Sequence, residues 1–225
     1  MDLWTPVFLG LSIGLVHYFG EEIDEYIGGY NFLLASFSAG FTVSYFFIRL
    51  LPETMSNSYT SISNLFILAG FSSLYVVEEF VYTRDEVFGE INYEFKEVHT
   101  VLVSAYHIVI GMLITFLAAS SGKHLLLFYL PVLVHTAVNS LAVKEMNEEM
   151  LDKTGVKLFA SFSTLIGVLL SFVVSFPEEM LYSLLGVIGG AFIYIVIHDA
   201  LDPRRERPLG FVSGVTAFLI LIALL

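Results

Sequence analysis

A few polar side chains that could do chemistry interrupt two otherwise apolar stretches of the sequence. His107 follows Tyr106 in "SAYHIVIGML", and His135 and Asn139 are four residues apart in "FYLPVLVHTAVNSLAV". Residues four apart lie on one face of a helix. Imidazole is a common ligand of divalent metals and carries protons near neutral pH. Its other role inside apolar helices is a hydrogen bond to a neighbouring carbonyl or hydroxyl group.

The composition indicates that these residues lie inside a membrane. Of the 225 residues, 56% are hydrophobic and only 14% are charged, whereas about a quarter of a soluble domain is charged. A span needs about 20 mostly apolar residues. The sequence therefore predicts an all-α integral membrane protein with a single transmembrane domain, 1–225, and the lipid bilayer as its partner. The eight predicted spans are 3–20, 29–51, 62–83, 98–119, 124–145, 155–176, 180–201 and 208–225.

Charge indicates the orientation of the spans. Eight spans put both termini on one side, and that side carries only two basic residues, Arg49 and Lys123. The other side carries eight: Arg84, Lys96, Lys144, Lys153, Lys157, Arg204, Arg205 and Arg207. Because basic loops favour the cytoplasm, we expect a multi-pass protein of the cell membrane with both termini on the non-cytoplasmic side. The longest loop is predicted at about 84–97.

The net charge and the residue inventory exclude some classes of function. A net charge of −12 argues against nucleic acid as a partner. The absence of Cys excludes disulfides and thiolate metal sites. The sequence has no HExxH motif, no paired intramembrane aspartates and no Ser/His set at helical spacing. We therefore do not expect an enzyme.

Two stretches suggest an internal repeat. "SAGFTVSYFFIRLL" (38–51) resembles "VIGGAFIYIVIHDA" (187–200), with Gly40 opposite Gly189, and "LAGF" (68–71) resembles "PLGF" (208–211). Three-span copies separated by two spans have opposite orientations, which is a common plan of transporters with a site near the midplane. The alternative is that small residues recur in any membrane bundle because they allow close packing.

Polar groups near the ends of spans need less explanation than those at mid-depth. We expect Arg49, Glu78, Glu79 and His17 to reach the membrane interface. His107 and His135 lie near the middle of the fourth and fifth spans. Since a polar group facing lipid there is unfavourable, we expect both, with Asn139, to face one polar space between these spans. Tyr106 and Ser140 would line it, and Asp199 would lie nearer one end.

The order and wording of the spans resemble the ZIP (Zrt/Irt-like protein) family of metal transporters. The resemblance rests on "SFSAGFTVSYFFIRLLPET" (36–54), "LFILAGFSSLYVVEEF" (65–80), "GGAFIYIVIHDAL" (189–201) and "RPLGFVSGVTAFLIL" (207–221). It covers nearly the whole chain and implies eight helices in a 3+2+3 inverted repeat. It also implies a homodimer through spans 3 and 8, which carry Ala69, Gly70, Ser72, Ser73, Gly210, Ser213, Gly214 and Ala217.

The metal-binding signature is where this sequence departs from the family. The family's fourth helix typically carries His-Asn-x-x-Asp/Glu-Gly, but here Ile110 precedes Gly111 in place of the carboxylate. The fifth typically carries His-Glu-x-Pro-His/Glu-Glu, of which only His135 remains. Arg49 replaces the usual His of the second helix. A carboxylate-bridged pair of metals is therefore not expected, and His107, His135 and Asn139 form a neutral set that predicts weak metal binding or none.

Two hypotheses of function follow. The first is a divergent ZIP-like transporter that moves a divalent metal such as zinc, or another small solute, past Tyr106, His107, His135, Asn139, Ser140 and Asp199. The second is a ZIP-like membrane protein that has lost transport and acts as a sensor, partner subunit or structural component. The retained histidines favour the first, and the missing carboxylates favour the second.

Overall fold

The computed structural model describes residues 3–27, 31–56, 59–88, 93–142, 154–195, 197 and 207–225, and these ranges contain helices and no strand. The helices are α1 (Trp4–Ile27), α2 (Asn31–Tyr45), α3 (Leu51–Ser56), α4 (Thr60–Phe88), α5 (Tyr93–Ser120), α6 (Gly122–Ala142), α7 (Thr154–Val173), α8 (Glu178–Ile195) and α9 (Pro208–Leu224). A π-helical turn, Phe46–Leu50, joins α2 to α3. The all-α prediction is confirmed for these residues.

Among the described residues, four helical segments are long and apolar enough to cross a membrane: Phe32–Ser56, Val101–Ser120, Gly155–Val173 and Glu178–Ile195. Three further apolar segments are shorter: Ser61–Val77, Gly122–Val138 and Pro208–Leu224. The described part of each predicted span lies mostly on a helix, and the second covers α2, the π-turn and the first residue of α3. These properties are those of a helical membrane protein.

The predicted loop at about 84–97 is wrong at both of its ends. Residues 84–88 continue α4 and residues 93–97 belong to α5. The hydropathy pattern locates the apolar part of a helix, but nothing ends a helix where its residues become polar. The charged stretches "TRDEVF" and "YEFKE" contain no proline or glycine, so both helices extend beyond their apolar sections.

The π-turn has a local cause in the sequence. Pro52 lies at the second position of α3 and has no N–H for the carbonyl of Ile48 four residues earlier. The backbone is wider here, and the N–H of Leu51 donates to the carbonyl of Phe46, five residues back. A single π-turn of this kind often marks a functional position. It places Arg49 at the end of the bundle where α6 begins.

Three helix pairs of the described structure pack through reciprocal glycines: α2 with α9, α4 with α8, and α5 with α7. A Cβ on Gly40 of α2 would strike the carbonyl of Phe211 in α9, and one on Gly214 of α9 would strike the carbonyl of Phe37. In the pair of α4 and α8, Gly70 and Gly190 meet the carbonyls of Val187 and Ile67 in the same way. Each glycine thus meets the residue three before its partner, because close backbone approach leaves no room for side chains.

These contacts bear on two details of the sequence analysis. Gly189, which was aligned with Gly40, meets the side chain of Leu50, and the reciprocal contact of α8 is made by Gly190. Gly70, Gly210 and Gly214 face helices of their own chain. Homodimer formation through spans 3 and 8 stays a prediction, and its surface would have to come from other residues of α4 and α9, such as the exposed Leu68 and Val212.

Candidate functional site

The central contact of the candidate site joins α5 to α7. Gly111 and Gly167 meet each other's helices at the carbonyls of Thr164 and Ile108. This close approach sets His107, one turn before Gly111, against the hydroxyl of Thr164. The distance from His107 Nδ1 to Thr164 Oγ1 is 3.0 Å, and both side chains are buried. Either atom can be the donor, since a hydroxyl both donates and accepts.

A second imidazole lies against the first. The ring of His17 in α1 meets the ring of His107 edge-on, with centroids 5.5 Å apart. Its Nδ1 is 3.3 Å from Ser161 Oγ, one turn before Thr164 in α7. His17, which we expected to reach the membrane interface, thus lies against the ring of His107. α1 packs along α7, which turns His17 inward, although its place near the end of the apolar run suggested otherwise.

Aromatic rings connect His107 with His135. The ring of Tyr106 lies 5.6 Å from that of His107 and 5.8 Å from that of Phe192 in α8. The ring of His135 in turn lies 5.0 Å from that of Phe192. His135 is buried, as is His107. Each histidine thus belongs to the centre of the bundle, but Phe192 stands between Tyr106 and His135, a position that the sequence analysis did not assign.

The side chains of three predicted site residues lie outside the described part of the structure. Asn139 and Ser140 lie on α6, but their side chains are outside the described part of the structure, and Asp199 is outside the described residues altogether. Within the described part, no three His, Asp or Glu side chains are grouped closely enough to hold a metal ion. The described side chains of the site therefore supply neutral imidazole, hydroxyl and phenol groups, and these suit hydrogen bonding to a polar solute.

A charged cluster occupies the end of the bundle where α3 and α6 meet. Arg49 Nη2 contacts His124 Nε2, and Arg49 Nε lies 3.4 Å from Glu53 Oε2. His124 Nδ1 lies 3.7 Å from Glu53 Oε1. Arg49, which we expected at the membrane interface, lies at this end of the bundle inside a three-residue network. We call Arg49, Glu53 and His124 the terminal triad.

Two further residues of the site were not identified from the sequence. Ser161 and Thr164 lie three apart in "ASFSTLIG", an apolar stretch of α7, and they hydrogen-bond His17 and His107. Ser and Thr are common in membrane helices, where they usually bond a carbonyl of their own helix, as Ser163 does with Ala160. Their spacing therefore did not distinguish them.

Compared with known proteins, the chain matches no family model and no curated sequence.

Proposed function

We propose that this protein is an eight-span membrane transporter with a ZIP-like 3+2+3 inverted repeat, which moves a divalent metal cation or another small solute past the imidazoles of spans 4 and 5. In this numbering α1 is span 1, α2 to α3 span 2, and α4 to α9 spans 3 to 8. Both termini would lie on the non-cytoplasmic side. The supporting observation is the pattern of helix packing.

Several packing pairs support an inverted repeat, although the contact of α1 with α5 and the reciprocal glycines of α5 and α7 have no counterpart of similar extent. Such a repeat exchanges spans 1, 2, 3 and 4 with spans 6, 7, 8 and 5. Under that exchange, the contact of span 2 with span 8 becomes that of span 7 with span 3, and both are extensive. The contact of span 4 with span 6 becomes that of span 5 with span 1. The contact of span 2 with span 5 becomes that of span 7 with span 4. All four of these helix pairs are in contact. The reciprocal glycines of α2/α9 and α4/α8 follow the same exchange.

The distribution of polarity supports a solute path through the middle. Large apolar side chains such as Leu65, Leu68, Val101 and Val173 are exposed on the outside. Hydroxyl and imidazole groups are buried instead, including Ser38, Thr42, His107, His135 and Thr164. A bilayer solvates the first group, while the second group supplies hydrogen bonds along the interior.

The test is uptake of radiolabelled zinc and other divalent ions into liposomes that contain the purified protein. We expect uptake above protein-free liposomes, a loss of uptake in His135→Ala, and uptake near wild type in His124→Ala, which lies outside the path. Fluorescence-detected gel filtration would show that each variant is folded. Absence of uptake for every ion tried would reject metal transport.

The second candidate function is a ZIP-like protein without transport. It is favoured by the engagement of His107 Nδ1 with Thr164 and by the lack of a three-ligand group in the described part of the chain. In that case His107→Ala and His135→Ala should lower thermal stability, while calorimetric titration of the wild-type protein with zinc should give no heat above background.

A further inference from the structure

Two buried hydroxyl groups on α2 have no partner in the described structure. Ser38 and Thr42 are 3% and 1% exposed, and neither Ser38 Oγ nor Thr42 Oγ1 has a hydrogen-bond partner among the described residues. The next hydroxyl of the same helix behaves differently, since Ser44 Oγ donates to the carbonyl of Gly40. A buried hydroxyl group is unfavourable unless something hydrogen-bonds it.

The two hydroxyls share a helix face that is directed at α6. Ser38, Thr42 and Tyr45 are spaced by four and three residues, which places them on one face. Tyr45 contacts Phe128 of α6, with ring centroids 6.1 Å apart. Tyr45 also meets Phe218 of α9, with ring centroids 6.2 Å apart, but the close approach of α2 to α9 is centred on Gly40. Ser38 and Thr42 are each two residues from Gly40, which places them on the far side of α2 from it. Ser38 and Thr42 are therefore directed toward the junction of α2 and α6.

The register of the two helices shows what lies opposite. Arg49 contacts His124, and Tyr45, four residues earlier, contacts Phe128, four residues later. The helices are thus antiparallel. Ser38 lies seven residues before Tyr45 and His135 lies seven residues after Phe128, so both are about 10 Å from the contact of Tyr45 with Phe128, at 1.5 Å per residue. Ser38 therefore lies level with His135. Thr42 lies level with Pro131 in the same way.

Pro131 adds a polar group to this junction. It lies inside α6 and is buried. Since proline has no N–H, the carbonyl of Leu127, four residues earlier, lacks its helical donor. The junction therefore contains two hydroxyls and a backbone carbonyl, and it reaches the level of the His135 imidazole. It contains no charged side chain between Arg49 and the start of α2, or between His124 and the end of α6.

We propose that α2 and α6 enclose a polar seam, lined by Ser38, Thr42 and the Leu127 carbonyl, that binds a short chain of ordered water molecules. A buried water typically makes about three hydrogen bonds, and this set of donors and acceptors supplies them without charge. Such a set suits water or an uncharged hydrogen-bonding solute better than a bare ion. If the proposed transport function holds, the seam forms a section of the solute path. The binding of water in the seam does not depend on that function.

The first test uses the absence of native cysteine. Single variants Ser38→Cys and Thr42→Cys are exposed to silver nitrate in chloride-free buffer, because silver ions can follow water and bind a thiolate wherever water reaches it. The matched control is Ser163→Cys, a fully buried serine whose hydroxyl bonds its own helix. We expect both seam cysteines to react about tenfold faster than the control or more. Reaction of folded seam variants at the control rate would overturn the proposal.

A second measurement covers the case in which a cysteine variant fails to fold. Thr42→Val keeps the shape of the side chain and removes its hydroxyl. If the hydroxyl binds water, the midpoint of thermal unfolding falls, as it should in Thr115→Val, whose hydroxyl bonds the carbonyl of Gly111. If the seam is dry, removal of an unpaired hydroxyl raises the midpoint, and the proposal fails. Failure of ion uptake in liposomes would leave both results unchanged, so the two proposals are separately tested.

Discussion

Two histidines of this protein, His107 and His124, occupy opposite environments at different depths of the bundle. His107 is buried and bonds the neutral hydroxyl of Thr164. His124 is 36% exposed and contacts Arg49 and Glu53, a cation and an anion. The difference follows from the cost of removing charge from water. Where the bundle is driest it uses neutral partners, and it keeps its ion pairs at the end.

The partners also differ in what they allow each ring to do. Arginine has only donors, so Arg49 can only donate to His124 Nε2, while His124 Nδ1 faces Glu53. A threonine hydroxyl can donate or accept, so Thr164 is compatible with either tautomer of His107. The terminal triad therefore fixes one arrangement, whereas the central histidine can exchange its proton between nitrogens without losing its partner. That property suits the solute path that we propose.

The largest expected effect comes from breaking the packing that creates the central environment. In Gly111→Val, the new side chain meets the carbonyl of Thr164, so α5 and α7 must separate and His107 loses its partner. We expect destabilisation by about 3 kcal/mol or more, a fall in the unfolding midpoint on the order of 10 °C. Gly122→Ala is the control, since nothing lies within 4 Å of a Cβ there. Equal midpoints for the two variants would contradict the close approach.

Replacing each histidine by alanine sharpens the comparison directly. His107→Ala leaves a cavity and an unpaired hydroxyl on Thr164, which together should cost about 2–4 kcal/mol. His124→Ala removes a partly exposed member of an ion-pair network, for which about 0–1 kcal/mol is usual. Thermal unfolding in the same detergent measures both. Similar losses for the two variants would show that depth does not separate them.

The all-α, membrane-spanning character of the described residues could be predicted from the sequence, because the apolar runs are long. The mid-depth positions of His107 and His135 were also recognisable, since they interrupt apolar helices. Their partners were not, because Thr164 and Ser161 are ordinary residues of a membrane helix and only the packing of α7 against α1 and α5 brings them to the imidazoles. The contact of His17 with His107 was not predicted for the same reason: hydropathy measures depth along a helix and says nothing about which neighbour a face meets.

A smaller effect should follow from removing one hydroxyl. Thr164→Val preserves volume but leaves His107 Nδ1 without its hydrogen bond, at a cost of about 1–2 kcal/mol. The control is Thr216→Val on α9, an exposed threonine whose hydroxyl bonds the carbonyl of its own helix. We expect its unfolding midpoint to change by less than half as much. If both variants behave alike, the contact between His107 and Thr164 contributes nothing to stability.

The smallest effect should come from the terminal triad, and its dependence on salt identifies it. Glu53→Gln removes the negative charge that lies 3.4 Å from Arg49 and 3.7 Å from His124. Partly exposed pairs of this kind contribute about 0.2–1 kcal/mol, a midpoint shift of about 1–3 °C. At 1 M salt the Debye length falls to about 3 Å, close to the separation of these charges, so the shift should become clearly smaller, whereas the Thr164→Val shift should persist because no net charge is involved. Glu79→Gln, the same change at an exposed position of α4, controls for net charge. If the Glu53→Gln shift is unchanged by salt, Glu53 acts through packing or neutral hydrogen bonds. The environments of His107 and His124 would then be chemically alike.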